Sequence, residues 1–504
     1  MDRRIVVRRV LPLGALVLAI VVAVALYGFN DSGTPSRAKS ASDASGGGGA
    51  PALASRPDLR PPPVKIRRKA PPGSSAASGL IFIGPKRVFG ALLAPGQQTG
   101  AEIIDPRGRV RYFKRNRGRN VANDLRVQTY RGKQVLTYWY GREVFGTGRG
   151  RGVILDRNYR RIATVSAARG LDMDFHEFLI TPQDTALITA YNKTRAPSGE
   201  EVVEGVVQEL DIKTGKVLTE WRSLPDVKVS ETYQPRGIRK GTFDYFHING
   251  AEIDTDGDIL VTARHTWAIY KIQRRTGKLL WKLGGKDSDF QMGSGTQTAW
   301  HHSTRPIAPN VIDVFDNGKG DGGTRRLHKD SRVTRIKLSP ARRTATRVRT
   351  VRHPKGISAG TQGNGEALPG GNLFVGWGSK GVISEFSKSG KLLFDAKLPQ
   401  GNDSYRAYKS DWTGIPKVAP KVATTARGSR VKVSASWNGS TEVQAWRALT
   451  GTDKDELSPA GRTSWKNLET SLSVPRDDAR YVAVQALDAR GKVLATSDVR
   501  KIKG

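Results

Sequence analysis

The 504-residue chain reads as an all-β protein: a six-bladed β-propeller, then an immunoglobulin- or fibronectin-like β-sandwich, behind one N-terminal transmembrane helix. Three observations predict this. Strand–turn–strand units recur roughly every 50–60 residues from about residue 79, the period of propeller blades with long loops. Alternating strands at shorter spacing fill roughly the last 85 residues, as in a sandwich. A charge-free apolar run follows a cluster of arginines at the start.

The N-terminal element spans residues 1–29. "MDRRIVVRR" carries four Arg, and Val10 to Phe29 then carry no charge. About 20 apolar residues cross a bilayer as a helix. The arginines place the N-terminus in the cytoplasm and the rest outside, as a single-pass cell-membrane protein. A signal peptide is the rival reading, but "LYGFNDSG" makes a poor cleavage site. Residues 30–78 are rich in Ser, Gly, Pro and Ala and poor in apolar residues. They read as a disordered or partly polyproline spacer.

Residues 79–415 hold the repeat. Six hairpins stand at 101–113, 152–165, 207–221, 268–283, 332–348 and 382–398. "VQELDIKTGKVLTEW" and "AIYKIQRRTGKLLWKL" are the best pair, with Thr-Gly supplying the positive-φ turn position. Alternation along the hairpins predicts one buried face. Further strand pairs precede several copies at 178–191, 251–264 and 366–378, so each blade should have four strands. Residues 416–504 read as the accessory sandwich, with Trp446 in its core.

Cysteine is absent, which excludes disulfides and thiolate metal sites. The formal charge is +37. Lys and Arg are scattered along the chain without a compact nucleic-acid-binding motif, so anionic wall polymers, lipid headgroups or acidic small molecules are the expected partners, not nucleic acid. "DTDGD" at 254–258 lacks the spacing of a calcium loop and reads as a β-turn.

Only seven His occur. His176, His247 and His302 stand at matching places in three successive blades, and His265 closes the strand pair that His247 opens. Arg264 and Arg305 lie alongside. Residues at one place in successive blades converge on the central axis. Each His could instead be a satisfied turn or core residue. A metal site has little support, because no HxH or HxxxH pair occurs. Imidazoles with Arg, and no evident carboxylate partner, suit transfer of an anionic group. One His would carry the group, and another would protonate the leaving oxygen. No P-loop or kinase motif is present, so no nucleotide is implied, and no cofactor is expected.

The ordered motifs "LRVQTYRGKQVLTYWYG", "DFHEFLITPQDTALITAYN", "DYFHINGAEIDTDGDILVTARHTWAIYKI", "AWHHSTRPIAPNVIDVFDNG" and "TQGNGEALPGGNLFVGWGS" resemble the arylsulfotransferase family over about residues 79–412. The resemblance implies a six-bladed propeller that transfers a sulfuryl group from an aryl sulfate to a phenol outside the cytoplasm, without a nucleotide donor. By motif it makes His247, His302 and Arg332 catalytic. His265, Arg264, Arg305 and His176 are then expected to bind substrate. Two departures stand out. His301 and Ser303 replace residues of a pattern closer to Gln-His-Asp. The glycine-rich strand at 375–386, where a nucleophilic His is expected, offers only Ser379, Lys380 and Ser384. The covalent intermediate is therefore expected on His302 or His247. The alternative is a non-catalytic propeller that binds anionic wall polymers or sulfated ligands.

Overall fold

Each of the six hairpins read from the sequence is the outer pair of an antiparallel four-stranded unit. The structure, a computed structural model, describes residues 52–144, 146–237, 242–320 and 324–502. The expected membrane helix and residues 30–51 of the expected spacer lie outside the described residues. Among the described residues no helix is long and apolar enough to cross a membrane.

Unit I comprises Val121–Tyr130, Lys133–Val144, Thr147–Leu155 and Arg161–Val165. Unit II comprises Met173–Ile180, Thr185–Arg195, Glu201–Asp211 and Val217–Arg222. A single Met173–Gly150 pairing joins these two into one sheet. Unit III runs Ile248–Ile253, Ile259–Ala263, Ala268–Ile272 and Leu279–Gly284. Unit IV runs Ser303–Ala308, Val311–Asp316, Arg332–Ser339 and Thr344–Arg352. Unit V runs Asn364–Ala367, Leu373–Gly376, Val382–Phe386 and Leu392–Lys397.

Unit VI is assembled from both sides of the repeat. Its innermost strand is Ala407–Ser410, paired with Leu80–Ile83, then Gly100–Ile104 and Val110–Arg115. The innermost strands of all six units are neighbours around a closed ring. Between units V and VI the Asn364 amide donates to Ala407 O at 2.9 Å and accepts from Ala407 N at 3.0 Å.

The expected one-sided alternation fails for strands in the middle of the units. Ile259–Ala263, Ala268–Ile272 and Gly100–Ile104 are buried at every residue. Each unit is sandwiched between two neighbours, so both sheet faces are covered and continuous apolar runs are stable there. Separate cores fill the spaces between units. Val207, Trp221 and Phe246 pack between II and III, and Phe315, Val333 and Val375 between IV and V. At the I–II junction Trp139 lies flat against the neighbouring strand, where a Cβ on Gly150 would sit 2.5 Å from its ring.

Residues 52–78 are not the free spacer that composition suggested. Lys65–Arg68 pairs antiparallel with the outer strand of unit V, and Leu59 and Val64 join its core. Val64 and Ile66 provide just enough period-2 apolar pattern to cover an edge that would otherwise present unpaired backbone groups.

In residues 416–504, Lys421–Arg427, Arg430–Ser436 and Glu469–Pro475 form one sheet. Ala445–Gly451, Ser458–Ser464, Tyr481–Leu487, Val493–Thr496 and Arg500–Lys501 form another. The two share one core around Val433, Trp446, Val474 and Val484. Arg111 of unit VI holds this module: its guanidinium lies 3.3 Å from the Trp465 ring centroid and donates to Val443 O at 2.9 Å.

Candidate active site at the inner strand ends

The backbone at the mouths of the inner strands is strained. His247, Trp267, Trp300 and Gln362 all have left-handed φ, between 50° and 65°. Side chains with a Cβ, bulky ones above all, avoid this region, and such strain concentrates at functional sites. Here it turns His247 and its neighbours toward one another.

His176, His247, His265, His302 and Arg264 form one buried cluster, none more than 6% exposed. The His176 and His247 rings meet edge to face at 5.2 Å, and His247 lies 4.7 Å from His265. Arg264 donates from Nη1 to His265 Nε2 at 3.0 Å and lies over Trp300 at 5.0 Å. The sequence-based grouping of these residues therefore corresponds to one place in the fold.

Carboxylates, which the sequence reading did not find, back two of the rings. His176 Nδ1 is hydrogen-bonded to Asp174, whose carboxylate also accepts from the His176 and Gly148 main-chain N–H groups at 2.9 and 2.5 Å. His247 Nδ1 lies 2.5 Å from Asp244 Oδ2. The signal was present in "DFH" and "DYFH", where an Asp precedes the His by two and three residues. His176 Nε2 has no hydrogen-bond partner among the described residues, so its lone pair faces the cluster uncommitted.

His302 differs. Its Nδ1 donates to Asn317 Oδ1 at 2.7 Å, and its Nε2 accepts from the main-chain N–H of Gln362 at 2.9 Å. Both nitrogens are committed. Burial, reinforced by the nearby Arg264 charge, drives its pKa well below the ordinary value and keeps the ring neutral. The expectation of a covalent intermediate on His302 is therefore corrected: this ring pins the start of unit V to the start of unit IV. His265 is likewise spent, with Nδ1 donating to Asp244 O at 2.7 Å and Nε2 accepting from Arg264. Burial again pushes its pKa well down.

Asp244, His247 and His265 bring possible ligand atoms within 4.8 Å of one another, a candidate cation site that sequence spacing did not show. His247 Nδ1 is hydrogen-bonded to the Asp244 carboxylate, His265 Nδ1 to the Asp244 main-chain carbonyl, and the Arg264 guanidinium occupies the open nitrogen of His265.

Two expected site residues lie elsewhere. Arg305 points along the axis into a buried ion network, paired with Glu252 and 3.4 Å from Glu177. Arg126 and Arg406 complete it, at 2.7 and 3.1 Å from Glu177. Burial alone would raise the Glu177 pKa, but the three guanidinium charges, Arg406 foremost, lower it to about 2. Arg332 pairs with Asp316 at 2.8 Å and donates to Gln297 O at 2.8 Å. It braces the 295–302 loop from behind, lies 2.6 Å from His328 Nε2, and makes no hydrogen bond or ion pair with the cluster among the described residues. Burying these charges costs desolvation, which is offset only because each guanidinium has a carboxylate at close range.

Within the glycine-rich strand, Ser384 is not free to attack. The Ser384 hydroxyl donates to Asp395 at 3.0 Å, accepts from Trp377 Nε1 at 3.0 Å and is fully buried. His353 sits 3.4 Å from the same Asp395, away from the axial cluster.

The model of the arylsulfotransferase (ASST) family matches residues 126–398. The chain belongs to the arylsulfotransferase family. The match runs from within the first strand of unit I to the end of unit V and takes in every residue of the cluster. No curated protein matches the chain significantly. Among solved structures, a protein of unknown function from Bacteroides caccae is 14% identical, with 66% of this chain and 98% of that one covered at a TM-score of 0.41. A catalytically inactive virginiamycin B lyase from Staphylococcus aureus with quinupristin is 10% identical, with 74% and 96% covered at a TM-score of 0.30.

Proposed function

We propose that this family member is a six-bladed propeller enzyme, carrying a C-terminal β-sandwich, that moves a sulfuryl group from an aryl sulfate to a phenol at the His176–His247 cluster. The Asp174–His176 pair carries this reading. A carboxylate on Nδ1 fixes the tautomer that leaves the Nε2 lone pair available, the arrangement that activates an imidazole.

In the first step His176 Nε2 attacks sulfur and forms an N–S bond. The S–O bond to the aryl group breaks, and its electron pair leaves on the phenolate oxygen. His247, held by its hydrogen bond to Asp244, gives that oxygen a proton. Asp174 balances the positive charge that develops on the sulfated ring, and Arg264 offsets charge on the sulfuryl oxygens. The acceptor phenol then loses its proton to His247 and attacks sulfur. The N–S bond breaks, and its electrons return to His176.

The N-terminal apolar run with its flanking arginines would anchor the enzyme with the propeller outside the cytoplasm. Protease added to intact cells should then release the folded part, and full protection would reverse that orientation. The decisive assay incubates the full chain with 4-nitrophenyl sulfate and a phenol. Acceptor-dependent release of nitrophenol is expected. Binding without turnover would leave a non-catalytic protein for sulfated ligands or anionic polymers.

A further inference from the structure

A second recognition site lies outside the histidine cluster. A cleft of about 680 Å³ opens between unit VI, unit I and the segment around residues 56–59, with Asn438 of the C-terminal module on its rim. That volume suits a drug-sized or oligomeric ligand. Its walls carry Arg56, Lys114, Arg115, Arg117, Arg151 and Arg161. The single acidic wall residue, Asp58, is already paired with Arg56 at 2.8 Å. The other five cations have no carboxylate within 4.0 Å among the described residues. In the ion network on the axis, by contrast, guanidinium groups are matched by carboxylates.

Five like charges facing one concavity repel each other and focus a positive potential into it. The floor adds a second observation. Tyr112 and Tyr138 are 6% and 3% exposed and line the cleft, and neither hydroxyl has a hydrogen-bond partner among the described residues. Neither hydroxyl belongs to the buried polar atoms left without a partner, so both reach solvent in the cleft and are free to donate to a ligand there. Tyr112 is held in place by stacking on Tyr159 at 4.4 Å, and Tyr138 by edge contact with Tyr140 at 6.3 Å.

We propose that this cleft binds an anionic glycan or polyol polymer, gripping several sulfate or phosphate groups with the five uncompensated cations and a sugar or polyol oxygen with the tyrosine hydroxyls. Guanidinium groups match the oxygens of sulfate and phosphate in fork geometry, and neutral hydroxyl donors suit the oxygens between them. The site does not depend on sulfuryl transfer at the histidine cluster, with which it shares no residue.

The test compares two triple variants of the full chain with equal net charge. One carries Arg115→Glu, Arg151→Glu and Arg161→Glu. The control carries Arg342→Glu, Arg347→Glu and Arg490→Glu, all exposed and outside the cleft. Binding is measured to a sulfated oligosaccharide, to a poly(glycerol phosphate) and to a single-stranded oligonucleotide of equal charge. The cleft variant should bind the preferred polymer on the order of ten- to a hundredfold more weakly than the control. Tyr138→Phe should weaken binding with little change in salt dependence. The stronger of the first two polymers identifies sulfate or phosphate as the recognised group. Equal weakening in both triple variants would reduce the effect to bulk charge and overturn the proposal. Tightest binding to the oligonucleotide would overturn it in favour of nucleic-acid recognition.

Discussion

Replacing Asp174 by Asn tests the nucleophile directly. The carboxylate is fully buried and accepts three N–H groups: His176 Nδ1, the His176 main chain and the Gly148 main chain. Asn preserves the shape but turns one acceptor into a donor. Either the Gly148 N–H or a His176 N–H then faces an NH₂ group. One unmade buried hydrogen bond costs about 1–3 kcal/mol of stability. The larger effect is on charge. Whichever way the amide turns, the anion that balances the positive charge on a sulfated His176 is gone, and with the NH₂ against Nδ1 the imidazole would also keep its proton on Nε2. By analogy with the carboxylate of a catalytic triad, kcat should fall by about ten-thousandfold with little change in KM. The assay is turnover of 4-nitrophenyl sulfate with a phenol, together with a melting curve showing that the variant is folded. Peptide mass spectrometry of alkali-quenched wild-type enzyme should find one added SO₃ group on His176. A folded Asp174→Asn variant within a few-fold of wild-type kcat would refute the assignment, as would a label on another residue that persists in His176→Ala.

Three further perturbations have worked outcomes. His301 is fully buried, and burial lowers its pKa to about 4 from the ordinary 6.5. The unfolded chain takes up the proton first, so stability is lost as pH falls from about 6.5 to 4; His301→Gln should remove about 3 kcal/mol of that loss in denaturant titrations at the two pH values. Arg305→Met leaves Glu252 and Glu177 facing each other without its charge and should cost about 3–5 kcal/mol, much of it recovered when Glu252→Met is added. Gly150→Ala puts a Cβ 2.5 Å from the Trp139 ring and 2.6 Å from Tyr140 O, and overpacking of that kind should lower stability by about 1–3 kcal/mol.

The outer hairpins were legible because their signal is local: a turn residue at a fixed place between two short strands. Gly215 and Gly277 take the positive φ, 72° in each, that the Thr-Gly turns require. The inner strands were harder to read. Ala407–Ser410 is short, and its partner Leu80–Ile83 is fixed by ring closure across the chain, not by an adjacent turn. The same holds for Lys65–Arg68, a strand only because unit V offers it an edge. At the site, recurrence by blade found His176, His247 and His302, and His265 and Arg264 followed as the close of the strand pair that His247 opens. It could not rank them, because rank depends on which ring nitrogen is already used. Arg305 shows the limit most clearly. It lies only three residues from His302, yet strand alternation and register aim it down the axis at Glu252, not at the histidines.

The cluster's burial and its strained backbone have a common cause. Trp267 and Trp300, both left-handed, meet edge to face at 5.5 Å, and Tyr233 stacks on Trp267 at 3.8 Å. Trp300 Nε1 donates to Arg325 O at 2.7 Å, and its ring stands 5.8 Å from His265. These aromatics cap the imidazoles. Two bulky residues in the left-handed region cost about 1–3 kcal/mol each, so the packing of the cap must offset that strain. What the cap provides is a dry surrounding. In low dielectric the Asp174–His176 and Asp244–His247 contacts are stronger than they would be in water, and they hold each ring in one tautomer before any substrate arrives. A cluster with the same residues on open strand ends would be hydrated, and water would compete for Nε2 of His176. The six inter-unit cores fix the inner strands, so the carboxylate–imidazole geometry rests on the packed units and not on the loops that carry Tyr233 and Arg325.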